Sequence, residues 1–464
     1  MNFDRMPDHI FLKIIRHLPF EEQVRVGRVS RRFKQISKWA VSEIKHLNLV
    51  NAWFYGINLK SMKKLIRLCA GSLEKIEYNE LFSEERRANL RARLTILSKY
   101  RLPRLSWLYL RWSNFESDFD LANLLTNSPN LQSIEWVMPP RIFPNVMCRS
   151  LQSVYIGQCQ SEFFESLIDK CPRLTRINIW QMHPSKKPWE KVIDEAVGNL
   201  PMLQDLTMSL KSRPSRYAFN FDKVPNLWKS SLRRLELEDF DVTDPVVDLI
   251  STSFPQLEVL KLHRVRVTGS GISRLSRLEN LYVLALSLIP ADEHDNLEDG
   301  IKRVALCCKK LQCVVVEDYA VSLATLKTFI FNCLQMKQFR VEVVPRIRTK
   351  QDGVNFVNSL RGFPQENIKF YSSNCPGLWF DDVARALNQL NEQSNGRSIS
   401  FCGGAAHVIR HFISDNDGDD DSSLQVNVNE ETEHISDVAI KNKIAKFMSN
   451  AIDAIRSFYE MIFH

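Results

Sequence analysis

One pattern of hydrophobic positions, apolar-x-x-apolar-x-apolar, recurs along most of the chain. Its copies begin roughly 20 to 32 residues apart, a period that is typical of repeat proteins. Because the last two apolar positions flank a variable one, each copy predicts a short strand that turns its apolar side chains to one face. Nine clear copies begin at Leu105, Leu131, Leu151, Leu174, Leu203, Leu232, Leu257, Leu281 and Leu311. Weaker copies begin at Ile44, Leu73, Met336 and Ile368.

The stretches between these strands predict helices, for instance residues 118–127, 161–170 and 188–198. Proline, which clashes with a helical backbone and lacks the amide hydrogen, ends several of them two residues before the next copy. Those prolines are Pro103, Pro129, Pro172, Pro201 and Pro255. A small apolar cysteine, which suits the tight turn into the strand, stands three residues before four of the copies, at Cys148, Cys171, Cys308 and Cys333. A single unit cannot bury its apolar face alone, so the pattern predicts an α/β solenoid of stacked units, with a curved parallel sheet inside and helices outside.

The segment from Met6 to Trp39 has a different, helical periodicity. Its first helix has a broad apolar face, with Pro7 suited to the first turn and Pro19 marking the end. A second short helix ends at Gly27, and a third follows in which Val29, Phe33 and Ile36 share a face. About forty residues cannot bury a sufficient core by themselves, so this segment predicts a partner or a neighbouring domain. The apolar positions of the first helix are Ile10, Phe11, Ile14, Ile15 and Leu18.

Three features of this segment resemble the F-box, the motif by which substrate adaptors dock on Skp1. They are Met6-Pro7, Leu18-Pro19 and Val29-Ser30-Arg31-Arg32-Phe33, where the family has two Leu-Pro pairs and a Val-Cys-Lys-Arg-Trp run. The repeats likewise resemble the cysteine-containing leucine-rich repeats that accompany F-boxes. The resemblance implies a substrate adaptor of an SCF-type E3 ubiquitin ligase, which binds Skp1, through it a cullin scaffold, and an unknown target protein. It implies Skp1 contacts at Met6, Pro7, Ile10, Ile14, Leu18, Pro19, Val24, Val29 and Phe33.

Two other interpretations remain open. The N-terminal helices are also compatible with a cap on a ligase-independent leucine-rich-repeat scaffold. The charge of the chain suggests nucleic-acid binding, which is the weakest of the three interpretations. The formal net charge is +8, but eight acids lie between Phe412 and Ile435 without Lys or Arg. The remainder therefore carries +16, spread along the sequence, which is more typical of ordinary solvated faces.

The domain organisation follows from these signals. We expect an F-box at residues 1–42, the leucine-rich-repeat solenoid at 43–371 and an atypical C-terminal repeat or cap at 372–411. An acidic disordered linker is expected at 412–434, and an amphipathic helix at 435–464 that either packs back on the solenoid or binds a partner. No apolar run is long enough to span a bilayer and no signal peptide is evident. We therefore expect a cytoplasmic or nuclear protein whose ten cysteines stay reduced.

The sequence predicts no enzyme, no metal and no cofactor. His407 and His411 lack the glutamate of a zinc protease between them, and the acidic run at Asp415 lacks the Gly and Glu of a calcium loop. No phosphate-binding loop or nucleophile elbow occurs.

A binding surface is predicted instead on the outward side of the strands. Aromatic and arginine residues dominate binding hot spots. The predicted substrate patch comprises Trp107, Tyr109, Arg111, Arg176 and Trp180, although these are equally the ordinary exposed positions of a repeat.

Overall fold

The computed structural model describes residues 7–18, 23–24, 26–49, 59–79, 92, 94–111, 119–183, 193, 200–210, 226–288, 297–343, 355, 358, 363, 367–372, 391 and 398–403. Residues 1–406 form one compact unit and residues 407–464 a second. All described residues belong to the first unit, so the expected acidic linker and C-terminal helix lie outside the described residues.

Two helices begin the described chain, α1 (Asp8–Arg16) and α2 (Arg31–Ser42). The side-chain oxygen of Ser30 accepts a hydrogen bond from the Phe33 amide at 3.2 Å and so caps the start of α2. The sequence predicted that the third helix of this segment includes Val29. The helix instead begins at Arg31, because Ser30 itself has extended backbone and caps the helix, while Val29 lies in the turn before it. Most of the expected second helix lies outside the described residues.

Fourteen parallel strands, counted within the described residues, follow in one sheet whose spatial order equals their order in the chain. Parallel strands in sequence order require a return connection after every strand, which defines a solenoid. The first seven strands are β1 (His46–Asn48), β2 (Lys75–Asn79), β3 (Trp107–Arg111), β4 (Ser133–Trp136), β5 (Ser153–Ile156), β6 (Arg176–Ile179) and β7 (Asp205–Ser209). The others are β8 (Arg234–Glu238), β9 (Val259–Val265), β10 (Val283–Leu288), β11 (Cys313–Val321), β12 (Gln338–Val343), β13 (Asn367–Ser372) and β14 (Ser398–Gly403).

Helices supply many of the return connections. They are α3 (Leu59–Cys69), α4 (Phe119–Thr126), α5 (Ser161–Lys170), α6 (Asn226–Ser231), α7 (Asp244–Ser253), α8 (Gly269–Arg274), α9 (Leu297–Cys307) and α10 (Leu323–Asn332). A 3₁₀ turn, Leu275–Arg277, extends α8. The helices predicted at 118–127 and 161–170 are confirmed, and the one predicted at 188–198 lies almost wholly outside the described residues. The leucine-rich-repeat architecture predicted from the period is thus the fold of the chain.

The repeat pattern builds one continuous apolar core between sheet and helices. In all nine clear copies the three apolar positions are buried, as Leu105, Leu108 and Leu110 illustrate with no exposed surface. Full burial of each such side chain stabilises the fold by about 1.5–3 kcal/mol. The turn cysteines Cys148, Cys171, Cys308 and Cys333 are buried as well. Neighbouring repeats approach so closely at Gly157 that an added Cβ would meet the backbone of Val137, with its Cα at 2.9 Å.

Candidate functional site

The two N-terminal helices form a small apolar core of their own. Phe11 and Ile15 of α1 meet Ile36 and Ala40 of α2, all nearly fully buried. The Phe11 ring packs edge-on against Phe33 at 4.8 Å between centroids. One apolar stripe of each helix packs in this core, and the other faces of the two helices remain on the outside. A helix pair with its own core therefore presents a stable outer surface.

The outer face of α1 exposes a second apolar stripe. Ile10 and Ile14 lie one helical turn apart, and 36% and 37% of their surfaces are exposed. Pro7, just before the helix, is exposed too, and Val29, just before α2, is 71% exposed. Isoleucine side chains on a small helical unit are usually buried. An exposed pair one turn apart is therefore a candidate contact surface for another protein.

The residues predicted to contact Skp1 fall into three groups. Pro7, Ile10, Ile14 and Val29 are exposed. Leu18 and Phe33 are half-buried against the small helical core, and Val24 packs against the solenoid core. Met6 and Pro19 lie outside the described residues. The structure thus brings four of the nine to an accessible surface, and the assignment of the nine to Skp1 stays a prediction.

The second candidate surface is the outward side of the sheet, which we call the open face. Its middle row runs across nine adjacent strands, because the register pairs one residue of each strand with one of the next. In order from β1 to β9, the middle row is Asn48, Glu77, Tyr109, Glu135, Tyr155, Asn178, Thr207, Glu236 and Lys261. Neighbouring members lie about 4.8 Å apart, the spacing of hydrogen-bonded strands.

Carboxylates and tyrosines alternate in the first half of this row. Glu77 is held by His46, whose Nε2 lies 3.0 Å from its Oε1, and by the Asn48 amide. Glu135 lies between Tyr109 and Tyr155, and it has no ion-pair or hydrogen-bond partner among the described residues. Burial raises the pKa of the Glu135 carboxyl above its ordinary value, and the negative charge of Glu77 raises that pKa further.

The same environment affects the tyrosine between the two glutamates. Burial raises the pKa of the Tyr109 phenol, and the nearby Glu135 carboxylate adds to this effect, while Arg111 opposes it. The Trp107 ring stacks on Tyr109 with an interplanar angle of 12° and 6.0 Å between centroids. This part of the open face therefore combines negative charge with the faces and edges of aromatic rings.

The predicted substrate patch is divided between two strands. Trp107, Tyr109 and Arg111 share β3, whereas Arg176 begins β6 and Trp180 directly follows it. Three strand spacings, about 14 Å, separate the two groups. The Arg176 Nε lies 3.4 Å from the Asp205 Oδ2, in the next strand. All five residues lie at the open face, and their role in binding a substrate stays a prediction.

The open face is largely closed to solvent at β9 to β11. Lys261 is 94% buried, and its ammonium lies 3.0 Å from a carboxylate oxygen of Glu236. Beyond it, outward positions of β9 to β11 form a small apolar cluster, each member less than a tenth exposed. Its members are Val259, Val283, Ala285, Cys313 and Val315. Of β1 to β11, therefore, β1 to β8 provide the accessible, polar part of the open face.

The sequence-based selection of site residues omitted Glu77, Glu135 and Tyr155. The repeat pattern places each of them at the same outward position, since Glu135 lies between the apolar Ile134 and Trp136. Selection by residue type favoured aromatic and arginine side chains. It left out the carboxylates, whose relevance depends on which side chains of neighbouring strands they pair with.

Within the described ranges, no group of three or more His, Cys, Asp or Glu side chains could hold a metal ion. None of the described helices combines the length and the apolar character that a bilayer crossing requires.

Comparison with known families defines the class of protein. The F-box domain family matches residues 3–45, and the family described as "FBD-associated F-box protein At5g56370, LRR repeats" matches residues 37–212. The chain is therefore an F-box protein in which the F-box is followed by leucine-rich repeats. Its repeats are similar to those of the FBD-associated F-box proteins.

Comparison with other proteins adds little beyond the family. No curated protein matches the chain. An internalin (inlF) from Listeria monocytogenes shares 14% identity over 74% of this chain and 88% of its own, with a TM-score of 0.40. The yeast Rad7 and Elc1 complex gives a match of 14% identity over 81% of this chain and 90% of its own, with a TM-score of 0.41. Likenesses of this size say nothing about function.

The architecture carries a general expectation. Proteins with an F-box followed by leucine-rich repeats are typically non-catalytic adaptors. An F-box implies binding to Skp1, and the combination implies a substrate-adaptor role in an SCF ligase without naming a target.

Proposed function

We propose that this protein is the substrate-recognition subunit of an SCF-type ubiquitin ligase. Its N-terminal helices dock on Skp1 and, through it, on a cullin. The open face of the repeats holds a target protein for ubiquitination. The adaptor makes no bonds itself and accelerates transfer by holding a target lysine close to the activated ubiquitin. This role belongs to the cytoplasm or the nucleus.

The exposed stripe of α1 is the observation that carries the proposal. Ile10 and Ile14 point away from the small core that Phe11 and Ile15 build with α2. The F-box family match covers both residues. An internal cap would turn this stripe inward, whereas a docking module keeps it accessible to a second protein.

Co-purification of Skp1 with the full-length protein tests the proposal. The double substitution Ile10→Asp with Ile14→Asp places two charges on the stripe and leaves Phe11, Ile15, Ile36 and Ala40 unchanged. Skp1 and the cullin should be recovered with the wild-type protein and lost with this variant.

An exposed apolar residue of the solenoid provides the matched control. Met202, in the turn before β7, is 56% exposed, so Met202→Asp makes the same kind of change away from α1. The Met202→Asp variant should retain Skp1. Retention of Skp1 by the Ile10→Asp/Ile14→Asp variant would contradict the proposal and favour a ligase-independent repeat scaffold.

A further inference from the structure

The middle row of the open face contains three glutamates that differ in how their charge is balanced. Glu236 has the ammonium of Lys261 at 3.0 Å and the imidazole of His263 at 3.8 Å. Glu77 has His46 and Asn48. The described residues offer Glu135 no such partner. One of three carboxylates in equivalent positions of the repeat thus has no cationic partner in the described part of the chain.

The residues beside Glu135 favour the binding of a cation that a partner molecule supplies. On one side in the row stands Tyr109, stacked on Trp107, and on the other stands Tyr155, which is 36% exposed. An aromatic face attracts a positive charge, most strongly when that charge is partly removed from water. A guanidinium suits this setting better than an ammonium, because its flat surface stacks on rings while its edge donates two parallel hydrogen bonds to a carboxylate.

The next residue of the row provides a second unmatched acceptor. Asn178 stands beside Tyr155, and its side-chain oxygen is buried without a hydrogen-bond partner among the described residues. A buried acceptor without a donor is unfavourable unless a ligand or water supplies one. Glu135 and Asn178 therefore both lack a hydrogen-bond donor within the described ranges, and only Tyr155 separates them in the row.

We propose that the open face recognises a basic segment of the target protein and that Glu135, between Tyr109 and Tyr155, holds an arginine side chain of that segment. The inference rests on the proposed function only in taking the open face as the target-binding surface. It adds the chemical class of the target: a protein segment with an arginine, in place of the nucleic acid that the net charge of +8 suggests.

The test is selection of peptides on the full-length protein bound to Skp1. A library of random linear peptides displayed on phage is selected on wild type, Glu135→Gln and Glu279→Gln. Glu279 is exposed in the turn before β10, so its substitution makes the same charge change away from the open face. We expect arginine to be enriched on wild type and on Glu279→Gln, and the enrichment to disappear on Glu135→Gln.

A binding titration then tests the charge itself. A recovered peptide is synthesised with arginine and with citrulline, which has nearly the same shape without the charge. Wild type should bind the arginine peptide about tenfold more tightly, and Glu135→Gln should bind the two peptides nearly equally.

Three results overturn the inference: an arginine-to-citrulline ratio near one on wild type, an unchanged ratio in Glu135→Gln, or recovery of no arginine-enriched peptide. Skp1 is measured in the same samples, so the two proposals fail separately. Skp1 retained without arginine preference removes only the inference, whereas loss of Skp1 from the wild-type preparation removes the adaptor role.

Discussion

Replacing Glu135 by Gln should stabilise the unbound protein at neutral pH. The substitution keeps the shape of the side chain and removes a charge that is half-buried, faces Glu77 across one intervening strand and lacks a partner among the described residues. A group retained for folding alone would show the opposite effect, because its removal would weaken the fold.

The magnitude follows from the spacing of the strands. Two strand spacings put the carboxylates of Glu77 and Glu135 about 10 Å apart. Coulomb repulsion at that distance amounts to about 0.4 kcal/mol in water and about 1.7 kcal/mol at an effective dielectric constant near 20. Salt at about 0.1 M reduces the value in water by more than half and the value for the partly buried pair by less. Removing the charge also removes the cost of desolvating the Glu135 carboxylate. Together, the two effects should raise the free energy of unfolding by about 0.5–1 kcal/mol.

The gain should depend on pH in one direction. Burial and Glu77 raise the folded-state pKa of Glu135 above its ordinary value, so the native state holds this proton to higher pH than the unfolded state does. Stability from this group is therefore complete below the ordinary carboxyl pKa of 4.5, and it decreases as the pH rises through the raised value. Glu135→Gln removes that loss, so its advantage should be present at pH 7 and absent at pH 4.

Urea unfolding followed by circular dichroism measures the effect at both pH values. Glu279→Gln serves as the control and should change little at either pH. The reasoning is refuted if Glu135→Gln is less stable than wild type at pH 7, or if its gain is as large at pH 4 as at pH 7.

Three further substitutions test neighbouring parts of the account. Tyr155→Lys puts a cation beside Glu135 at the register position that Lys261 has beside Glu236, so NMR titration should show a lower pKa for Glu135; an unchanged pKa would count against the proposed geometry. Gly157→Ala should lower the free energy of unfolding by about 1–3 kcal/mol, because the new methyl group collides with backbone of the preceding repeat; wild-type stability would show that the repeats are less closely packed. Phe163→Ala should cost about 3–5 kcal/mol, since the ring is 99% buried, and a loss below 1 kcal/mol in thermal or urea unfolding would argue against a continuous core.

The repeat period was sufficient to predict the fold, because the apolar side chains of a strand can all reach the core in only one orientation of that strand. In a strand, successive side chains point to opposite faces, so Leu108 and Leu110 fix the direction of Tyr109 between them. The same logic located the turns, where Cys148 and Cys171 are buried as predicted. Local periodicity therefore determines the strands, their order and their inward faces.

The open face was predictable in position but not in accessibility. Lys261 stands at an outward position and is 94% buried beside Glu236, which depends on contacts between strands that a single repeat does not encode. The backbone of Asp239 and Arg264 has positive φ values of 66° and 58°. Neither residue is a glycine, so this conformation could not be predicted from the residue types.

In the N-terminal segment, too, the sequence predicted the positions of the apolar residues but not which of them are accessible. Periodicity predicted the apolar face of α1, but both its buried and its exposed stripes are apolar, so the sequence did not say which residues remain accessible. Phe11 and Ile15 are used in the small core and Ile10 and Ile14 are not. Only the packing of α2 against α1 separates the two stripes.

Titration calorimetry of purified Skp1 with this protein tests the central claim most directly, that docking and target recognition use two separate surfaces. The account predicts that wild type and Glu135→Gln bind Skp1 with the same affinity. Ile14→Asp should weaken binding at least about 100-fold, the effect of losing a buried hot-spot side chain. Equal binding by Ile14→Asp, or weakened binding by Glu135→Gln, would contradict the claim.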